Sequence, residues 1–319
     1  AVGNGVGPEV NGGIGTPFGG VTSALFETDS GNAIMNSGIP SSAMMPTFSA
    51  DGTRIVFNDY TQGNGRTISV MDYDSQGRRA SNERVLYNGR DYLGWPFMLP
   101  DNGAAVFTSG ASTNFSGNGV GINGFAARGP NSDLMIADAE TGKATLLARA
   151  MGFNDVDAAS REETYLPFGA EELHQSYYPT VSPVASGGYF WLFFDSVRHY
   201  GNLGVQRALW GAAIAIPATG GEYQDPDGRY ATDPSYPAFY LPGQELDAAN
   251  HRAFTALDPC QGDGQSCETG VDCCSGHCNG GVCGPKTGCA ATDDACSSNG
   301  DCCEGAGSCI GGYCSVLLL

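Results

Sequence analysis

The chain has 319 residues, 48 of them glycine, and a net charge of −19 from 34 acidic and 15 basic side chains. A surface this acidic repels nucleic acids and anionic membranes, so both are excluded as partners. No stretch approaches the roughly 20 consecutive apolar residues that span a bilayer, which excludes a transmembrane helix. Low charge content and high glycine content are typical of a loop-rich all-β protein.

The first part of the chain predicts an arm followed by two strands. The chain begins with Ala1 rather than Met, which predicts an N-terminus made by removal of a signal peptide or of a larger N-terminal part. Residues 1–20 are rich in glycine and lack hydrophobic periodicity, so we predict an extended arm there. Residues 21–26 and 33–38 flank a turn at Ser30 and Gly31, which predicts two short strands.

A repeated motif organises the next part of the chain. Residues 46–57 and 96–107 begin 50 positions apart and share a proline, an aspartate in the turn and a closing phenylalanine at matching offsets. A looser copy follows at 179–194. Each copy is followed by two further strand-like runs with a turn between them, so each unit offers four short strands. Repeated four-stranded units predict the blades of a β-propeller.

The motif resembles the propeller repeats of TolB-like proteins, in the Pro46-x-Phe-Ser-x-Asp-Gly signature and in a third strand that ends in Met71-Asp72. The resemblance is closest at 46–89 and weakest at 179–216, where Ser186-Gly-Gly replaces the Asp-Gly turn. It implies an all-β fold with TolB-like blades over residues 21–259. The sequence segments 179–188 and 237–246 also resemble segments of large secreted bacterial proteins, myxobacterial ones among them. Those proteins similarly end in cysteine-rich repeats.

The number of predicted blades falls short of a closed ring. About three and a half units lie in the chain, whereas propellers have at least four blades. Either a C-terminal strand at 252–256 completes the first blade, or further blades lie on a cleaved fragment or on another subunit. An open propeller exposes strand edges and apolar faces, so we expect this chain to work in an assembly, with a protein partner or with itself.

Long segments interrupt the blades at 109–130, 151–178 and 222–250. Loops on a rigid scaffold are where binding residues usually lie, although such segments also cover blade surfaces or subunit contacts. Within and beside the second segment, four side chains are candidate ligand-binding residues, with a structural role in capping loops as the alternative. They are His174, Arg198, His199 and Tyr200.

Aspartates in the second and third segments are candidate calcium ligands, because Ca²⁺ prefers carboxylate and carbonyl oxygens. They are Asp155, Asp157, Asp225, Asp227 and Asp233. None of them matches the twelve-residue calcium-loop pattern, so surface solvation is the alternative. No other cofactor is predicted. Asn114 begins a glycosylation sequon, which matters only in a host that glycosylates its proteins.

All twelve cysteines lie between Cys260 and Cys314, which predicts a domain boundary near Pro259. An even number of cysteines in so short a stretch predicts disulfides formed in an oxidising, extracellular compartment. Zinc is the alternative because His277 precedes Cys278, but adjacent cysteines are awkward as a pair of tetrahedral ligands.

The cysteine spacing at 260–283 and again at 289–314 resembles inhibitor-cystine-knot (knottin) modules, and an apolar tail follows at 315–319. This resemblance implies that the first cysteine of each module pairs with the fourth, the second with the fifth and the third with the sixth. The implied pairs are Cys260–Cys274, Cys267–Cys278, Cys273–Cys283, Cys289–Cys303, Cys296–Cys309 and Cys302–Cys314. Knottins include inhibitors, toxins and carbohydrate binders, but the small acidic loops here favour a protease-resistant spacer or an assembly contact.

The sequence shows no recognisable catalytic motif. The chain has no Gly-x-Ser-x-Gly nucleophile elbow, and residues 119–124 match the dinucleotide-binding fingerprint without its βαβ context. TolB-like propellers include oligogalacturonate lyases, which use a metal together with histidines. His174, His199 and His251 lie in no recognisable catalytic or metal-binding spacing, so a lyase is only the enzyme alternative.

The sequence therefore predicts a secreted or surface-displayed, non-catalytic scaffold whose work is protein–protein assembly. The first alternative is a glycan-binding protein, which requires exposed aromatic platforms on one propeller face. The second is a polysaccharide lyase or hydrolase, which requires converging histidine, arginine and carboxylate side chains in the propeller channel. The positions of Trp95, Trp191 and Trp210 bear on the first alternative, because buried tryptophans are core and jointly exposed ones form a platform.

Overall fold

The computed structural model describes residues 2–5, 22–60, 65–110, 131–201, 207–217, 228–245, 249–250, 252–255, 260–310 and 312–316. Three antiparallel sheets of four strands each form the centre of the molecule, and none of the described sheets closes on itself. The predicted all-β class, with propeller-type blades and a disulfide-rich C-terminal region, is therefore confirmed. None of the described helices is long and apolar enough to cross a membrane.

Each four-stranded sheet is a meander whose strands pair in sequence order, and we number these sheets as blades 1 to 3. Two strands precede them, β1 (Val2–Gly5) and β2 (Thr22–Leu25). Blade 1 contains β3 (Ala43–Phe48), β4 (Arg54–Asp59), β5 (Thr67–Asp74) and β6 (Arg79–Asn88). Blade 2 contains β7 (Tyr92–Met98), β8 (Ala104–Gly110), β9 (Asp133–Asp138) and β10 (Ala144–Leu146). Blade 3 contains β11 (Ser176–Val181), β12 (Tyr189–Ser196), β13 (Ala208–Ala215) and β14 (Phe239–Tyr240).

The blades stack face to face through alternating side chains. In β8, Ala105 and Phe107 pack against blade 1, whereas Ala104 and Val106 pack against blade 3. Successive side chains of a strand point to opposite faces, so a strand buried on both sides is apolar throughout. We call the side of a blade that points to the following blade its forward face, and the other side its rear face.

The segment before blade 1 differs from the predicted arm and strand pair. Val2–Gly5, inside the predicted arm, forms β1 and pairs with β2. The predicted strand at 33–38 is reduced to a single bridge between Phe26 and Ala33. The chain bends there because Gly38 adopts a left-handed φ of 80° and lies so close to the Ala80 carbonyl that a Cβ would clash with it. We call β1, β2 and Ala33 the N-terminal half-blade.

The N-terminal half-blade covers the rear face of blade 1. Leu25 is buried against Ile55 and Phe57, with Ile34 and Ile39 packed around the same cluster. Blade 1 therefore has apolar packing on both faces, as blade 2 has.

The segment between β10 and β11, predicted as a long insertion, is folded. It contains helices α1 (Ala148–Met151) and α2 (Val156–Ala159) and a 3-10 turn at Ala170–Glu172. Ala148, Ala150, Met151 and Phe153 are buried in the core between blades 2 and 3. The insertion is therefore part of the propeller core and not only a surface loop.

Six disulfides hold the C-terminal region. They join Cys260–Cys274, Cys267–Cys278, Cys273–Cys283, Cys289–Cys303, Cys296–Cys309 and Cys302–Cys314. We call residues 260–283 module 1 and residues 289–316 module 2. Module 1 contains the short strands β15 (Cys278–Asn279) and β16 (Val282–Cys283), and module 2 contains β17 (Ser308–Ile310) and β18 (Tyr313–Ser315).

The two modules contact each other closely. The Asp294 side chain is buried between them, and its Oδ1 accepts a hydrogen bond of 3.2 Å from the Cys278 backbone N–H. The Ala295 N–H donates a 2.7 Å hydrogen bond to the Gly276 carbonyl. Only glycine fits at Gly270, because a Cβ there would meet Asp294. Close contact of this kind makes the tandem one unit.

Module 2 also packs on the blades. Ile310 of β17 is buried in the core cluster shared by blades 2 and 3. Around this contact, a cavity of about 620 Å³ lies between module 2 and the turns of all three blades, with Asp51, Asp101 and Pro183 in its wall. Module 2 therefore lies across one end of the propeller.

Candidate functional site on the insertion face

The antiparallel order of the strands separates two ends of the propeller. Turns between the first and second strands, at Asp51 and Asp101, lie at the end that module 2 covers. We call this end the turn face. Loops between the second and third strands, and the connections from one blade to the next, leave at the opposite end. We call that end the insertion face, because the 147–175 segment and residues 197–201 lie there.

The innermost strands share a bulge just below the insertion face. The strand register shifts between Met44 and Thr47 in β3, and at the matching positions of β7 and β11. In each bulge the residue before proline has a left-handed backbone: Met45 at φ 52°, Trp95 at 53° and Tyr178 at 53°. Such a conformation costs about 1–3 kcal/mol for a non-glycine residue, so its repetition marks a position that the packed blades impose.

The bulged residues bring large side chains together at the propeller axis. The ring centroids of Trp95 and Tyr178 lie 4.8 Å apart in an edge-to-face arrangement. Arg252, on the chain segment that follows blade 3, places its guanidinium 4.3 Å from the Trp95 ring centroid. Offset aromatic pairs and stacked guanidinium groups each add stabilisation beyond apolar burial. We call Met45, Trp95, Tyr178 and Arg252 the axial ring.

A buried ionic group supports the axial ring. Asp195 is fully buried, and its Oδ1 accepts a 2.9 Å hydrogen bond from the Arg252 backbone N–H. Its Oδ2 lies 3.5 Å from Nη1 of Arg207, and the Arg207 guanidinium stacks 4.4 Å from the Tyr177 ring centroid. Burial raises the pKa of both Tyr177 and Tyr178 to about 12, so these phenols stay neutral. Burial likewise lowers the pKa of Arg252.

Arginine and carboxylate side chains thus converge at the axis, as the enzyme alternative requires, but they form a structural network. Asp195 already binds the backbone of the Arg252 segment and faces Arg207, so both of its oxygens have partners. His174 and His199, the two described histidines of the blade region, bind other carboxylates, Asp133 at the start of β9 and Glu172 in the insertion. His251 lies outside the described residues.

His174 was predicted as a ligand-binding residue, and the structure places it against Asp133. Its Nδ1 lies 2.8 Å from Oδ1 of Asp133, and its ring lies edge-to-face with Phe153 at 5.5 Å. The hydrogen bond to Asp133 raises the pKa of His174, and burial opposes this shift. The pair joins the end of the insertion, just before β11, to the first residue of β9.

His199 lies in a different pair. The His199 backbone N–H donates a 2.6 Å hydrogen bond to Oε1 of Glu172, and Nδ1 lies 2.5 Å from the same oxygen. Oε2 of Glu172 is buried and has no hydrogen-bond partner among the described residues. The Phe168 ring covers His199 at a centroid distance of 4.8 Å. This pair therefore joins the insertion to the loop that follows β12.

Arg198 and Tyr200, the neighbours of His199, both contact Trp210 but differ in exposure. Arg198 is buried, stacks 3.9 Å from the Trp210 ring centroid and donates a 3.1 Å hydrogen bond to the Ala150 carbonyl. Burial lowers its pKa to about 10, so it remains charged at neutral pH. Tyr200 is exposed and stacks parallel on Tyr240 at 4.3 Å. The four predicted residues therefore take part in four contacts within the chain, and a role of these residues in ligand binding remains a prediction.

Three aromatic residues on the insertion face expose large parts of their side chains. The exposed fractions are 40% for Tyr165, 51% for Phe168 and 52% for Tyr200. Tyr165 donates a 2.5 Å hydrogen bond to the Arg149 carbonyl, and the other two stack on His199 and Tyr240. Each ring is therefore fixed by one side and presents the other to solvent. We call these three residues the aromatic patch.

The candidate calcium ligands that the structure describes have other partners. Asp155 caps α2, and its Oδ1 accepts a 2.6 Å hydrogen bond from the Ala158 N–H. Asp233 accepts hydrogen bonds from Ser235 and from the Arg149 backbone, and burial raises its pKa. Asp157 is exposed. Asp225 and Asp227 lie outside the described residues, as do the sequon at Asn114 and the glycine motif at 119–124.

Within the described parts of the chain, the only groups of three potential metal ligands are cysteines that already form disulfides. Calcium binding at the predicted aspartates remains a prediction.

The three tryptophans lie in three different places. Trp95 belongs to the axial ring, and Trp210 is buried beneath Arg198. Trp191 lies on the forward face of blade 3, where its Nε1 donates a 3.0 Å hydrogen bond to the Ser186 carbonyl. They do not form the common platform that a glycan-binding face would require.

Comparison with known proteins gives similarity at the level of structure only. No protein-family model and no curated protein sequence matches the chain. The structure of TolB from Acinetobacter baumannii matches 62% of this chain and 37% of its own, at 14% identity and a TM-score of 0.36. A putative TolB from Agrobacterium tumefaciens matches 60% of this chain and 50% of its own, at 16% identity and a TM-score of 0.33.

An oligogalacturonate lyase in complex with manganese also matches, over 60% of this chain and 43% of its own, at 14% identity and a TM-score of 0.35. The chain therefore spans about half or less of the length of these structures.

Proposed function

We propose that the chain is a non-catalytic, protein-binding propeller that works in an extracellular assembly, and that the insertion face is its binding surface. The observation that carries this proposal is the aromatic patch of Tyr165, Phe168 and Tyr200, three rings held in place and exposed by 40% or more. Exposed aromatic residues on a rigid support are typical of protein interfaces, where Tyr, Phe and Trp are enriched.

The polar residues beneath the patch support binding rather than chemistry. His199 and Glu172 hydrogen bond to each other, and Arg198 is stacked and buried, so these groups position the patch. Aromatic side chains lose little conformational entropy on binding when they are already fixed, which favours them as anchor residues.

The C-terminal region supports an extracellular location. Six disulfides and no free cysteine among the described residues are typical of proteins that fold in an oxidising compartment. We propose that both modules are knottins that serve as protease-resistant spacers and contacts within the assembly. Module 2 already has one such contact, since Ile310 packs into the blades.

The proposal is tested by capture from the extracellular fraction of the source organism. Immobilised protein is compared with the variant Tyr165→Ser/Phe168→Ser/Tyr200→Ser and with Met35→Ser, a matched control that removes an apolar side chain 81% exposed elsewhere. We expect a discrete protein that binds the native chain and Met35→Ser but not the triple variant. Capture that is identical for all three proteins would refute the role of the insertion face.

A further inference from the structure

The segment at 252–255, which follows blade 3, has the features of an innermost blade strand. Arg252 has a left-handed φ of 49°, the same conformation as Met45, Trp95 and Tyr178 at the bulges of β3, β7 and β11. Like those residues, it places its side chain in the axial ring. Arg252 is thus the fourth member of a series that otherwise occurs once in each blade.

Hydrogen bonds to the neighbouring blade also align the 252–255 segment with an innermost strand. Thr47 follows the bulge of blade 1, and its Oγ1 donates a 2.9 Å hydrogen bond to the Pro96 carbonyl in blade 2. Thr180 is at the same position in blade 3, and its Oγ1 donates a 2.7 Å hydrogen bond to the Ala253 carbonyl. Ala253 therefore corresponds to Pro96, and Phe254 corresponds to Phe97.

The innermost strands of the three blades and the 252–255 segment surround one cavity. A cavity of about 240 Å³ at the axis is lined by Phe48 from β3, Phe97 from β7, Val181 from β11 and Phe254. The guanidinium of Arg252 also reaches Trp95, two blades away. Three innermost strands and one segment at the corresponding position, around so small a cavity, fit a ring of four blades, which is the smallest propeller.

The N-terminal half-blade has no first strand among the described residues. β1 lies beside β3, as β4 lies beside β7 and β8 beside β11, so β1 corresponds to the second strand of a blade. β2 then corresponds to the third strand. None of the strand pairs in the described residues gives this half-blade a first strand, or gives the 252–255 segment a second one.

The forward face of blade 3 is the only blade face in the described structure without a blade or half-blade against it. Val56 and Val106, at matching positions on the forward faces of blades 1 and 2, are completely buried, whereas Phe193 at the same position in blade 3 is partly exposed. On this face Tyr236 and Phe239 are 43% and 44% exposed, and both lie edge-to-face with neighbouring rings of β12.

We propose that the forward face of blade 3 and the 252–255 strand bind the N-terminal half-blade of the same chain. The two parts form one fourth blade and close a four-bladed ring. In this blade 252–255 is the first strand, β1 the second, β2 the third and Ala33 lies in the fourth. The half-blade keeps its packing on blade 1 through Leu25 and covers the exposed aromatic residues of blade 3 with its other face.

Matching turns fix the register of the closed blade. The Glu27 N–H donates to the Asn32 carbonyl and the Gly31 N–H to the Glu27 carbonyl, as Asp138 does with Lys143 and Gly142 with Asp138 in blade 2. Leu25 therefore corresponds to Ile136.

Strand pairing extends this register to the other two strands. Val2, the partner of Leu25, corresponds to Val106, the partner of Ile136. Phe97 pairs with Val106, so Phe254 is expected to pair with Val2.

A cysteine pair tests this register in the full-length protein. In Val2→Cys/Phe254→Cys the two residues face each other, at the separation that a disulfide spans. In the control Gly3→Cys/Phe254→Cys the new cysteine in β1 points to the opposite face. We expect the first pair to form a disulfide within one chain at a yield about tenfold above that of the control, because pairing raises the effective concentration of the two thiols.

Peptide mapping by mass spectrometry and non-reducing electrophoresis read out the result. Equal yields for the two pairs would overturn the proposal, and a disulfide found only between chains would show that the face instead takes the half-blade of a second copy. Capture by the insertion face is measured on the same variants. Closure of the ring involves other residues than the aromatic patch. The proposed closure and the proposed binding through the insertion face can therefore fail independently of each other.

Discussion

The blades and the disulfide modules stabilise their folds in opposite ways. The blades contain no cysteine and bury large apolar side chains such as Phe107, Phe190 and Phe194 completely between sheets. Module 2 has a small core centred on Ala290, Ala306 and Cys314, and it is held by three disulfides. A chain segment too short to bury much apolar area must limit the entropy of its unfolded state instead. One chain therefore combines stabilisation by apolar burial with stabilisation by disulfides, and Ile310 connects the two regions by packing module 2 on the blades.

Reducing all six disulfides is expected to have the largest effect and to separate the two regions. Each lost disulfide costs about 2–5 kcal/mol in a small domain, so residues 260–316 should unfold. All three tryptophans lie in the blades, so tryptophan emission should keep its native wavelength while the amide protons of the modules exchange freely. Reduction that also shifts the tryptophan emission would show that the blades depend on the modules.

The blade core is tested by Phe194→Ala, which should lower the free energy of unfolding by about 3–5 kcal/mol because it leaves a cavity between blades 2 and 3. The measurement is denaturant unfolding followed by tryptophan fluorescence. Phe168→Ala is the control, since that ring is half exposed and its loss should change stability by about 0.5 kcal/mol or less. Equal effects of the two substitutions would contradict the packing of blade 3 on blade 2.

The contact between the two regions is tested by Ile310→Ala. Truncating this buried side chain should cost about 2–4 kcal/mol of the contact between module 2 and the blades. Hydrogen exchange should therefore rise at the turn face, around Pro183, while the six disulfides stay intact. Val316→Ala removes an exposed side chain of the same module and should leave the exchange unchanged. Unaltered exchange in Ile310→Ala would mean that the contact contributes little.

The smallest expected effect is a pH dependence confined to the blades. Asp133 raises the pKa of His174. Protonated His174 then contributes stability that is fully present below the ordinary histidine pKa and is lost as pH rises through the raised value. Asp133→Asn should remove this decline in the melting temperature, whereas Asp157→Asn, at an exposed acid, should keep it. A native protein whose melting temperature does not fall over this pH range would contradict the shift.

The repeats predicted the blades because their physical cause is local. Strand alternation, turn glycines and the closing phenylalanines of 46–57 and 96–107 lie close together in sequence, and β3, β4, β7 and β8 form there. The short helices in the insertion were missed, since α1 and α2 have four residues each and form by packing on the blades.

The site was less predictable because its contacts join distant residues. Glu172 meets His199, and Asp133 meets His174, across separations of 27 and 41 residues that no periodic pattern records. The equivalence of the 252–255 segment to an innermost strand was detectable only in part, because Ala253 stands where β3, β7 and β11 have proline. Its left-handed residue and its hydrogen bond from Thr180 are visible only in the folded chain.

Module 2 lies across the turn face, and this position has a kinetic consequence. The axial cavity and the larger cavity beneath module 2 share Ala50 and Pro183 in their walls, so the path from the axis to the turn face runs beneath the module. A small molecule that left the axis at this end would pass the side chains of module 2, Tyr313 among them. Its release rate there would then depend on module 2 as well as on the blades.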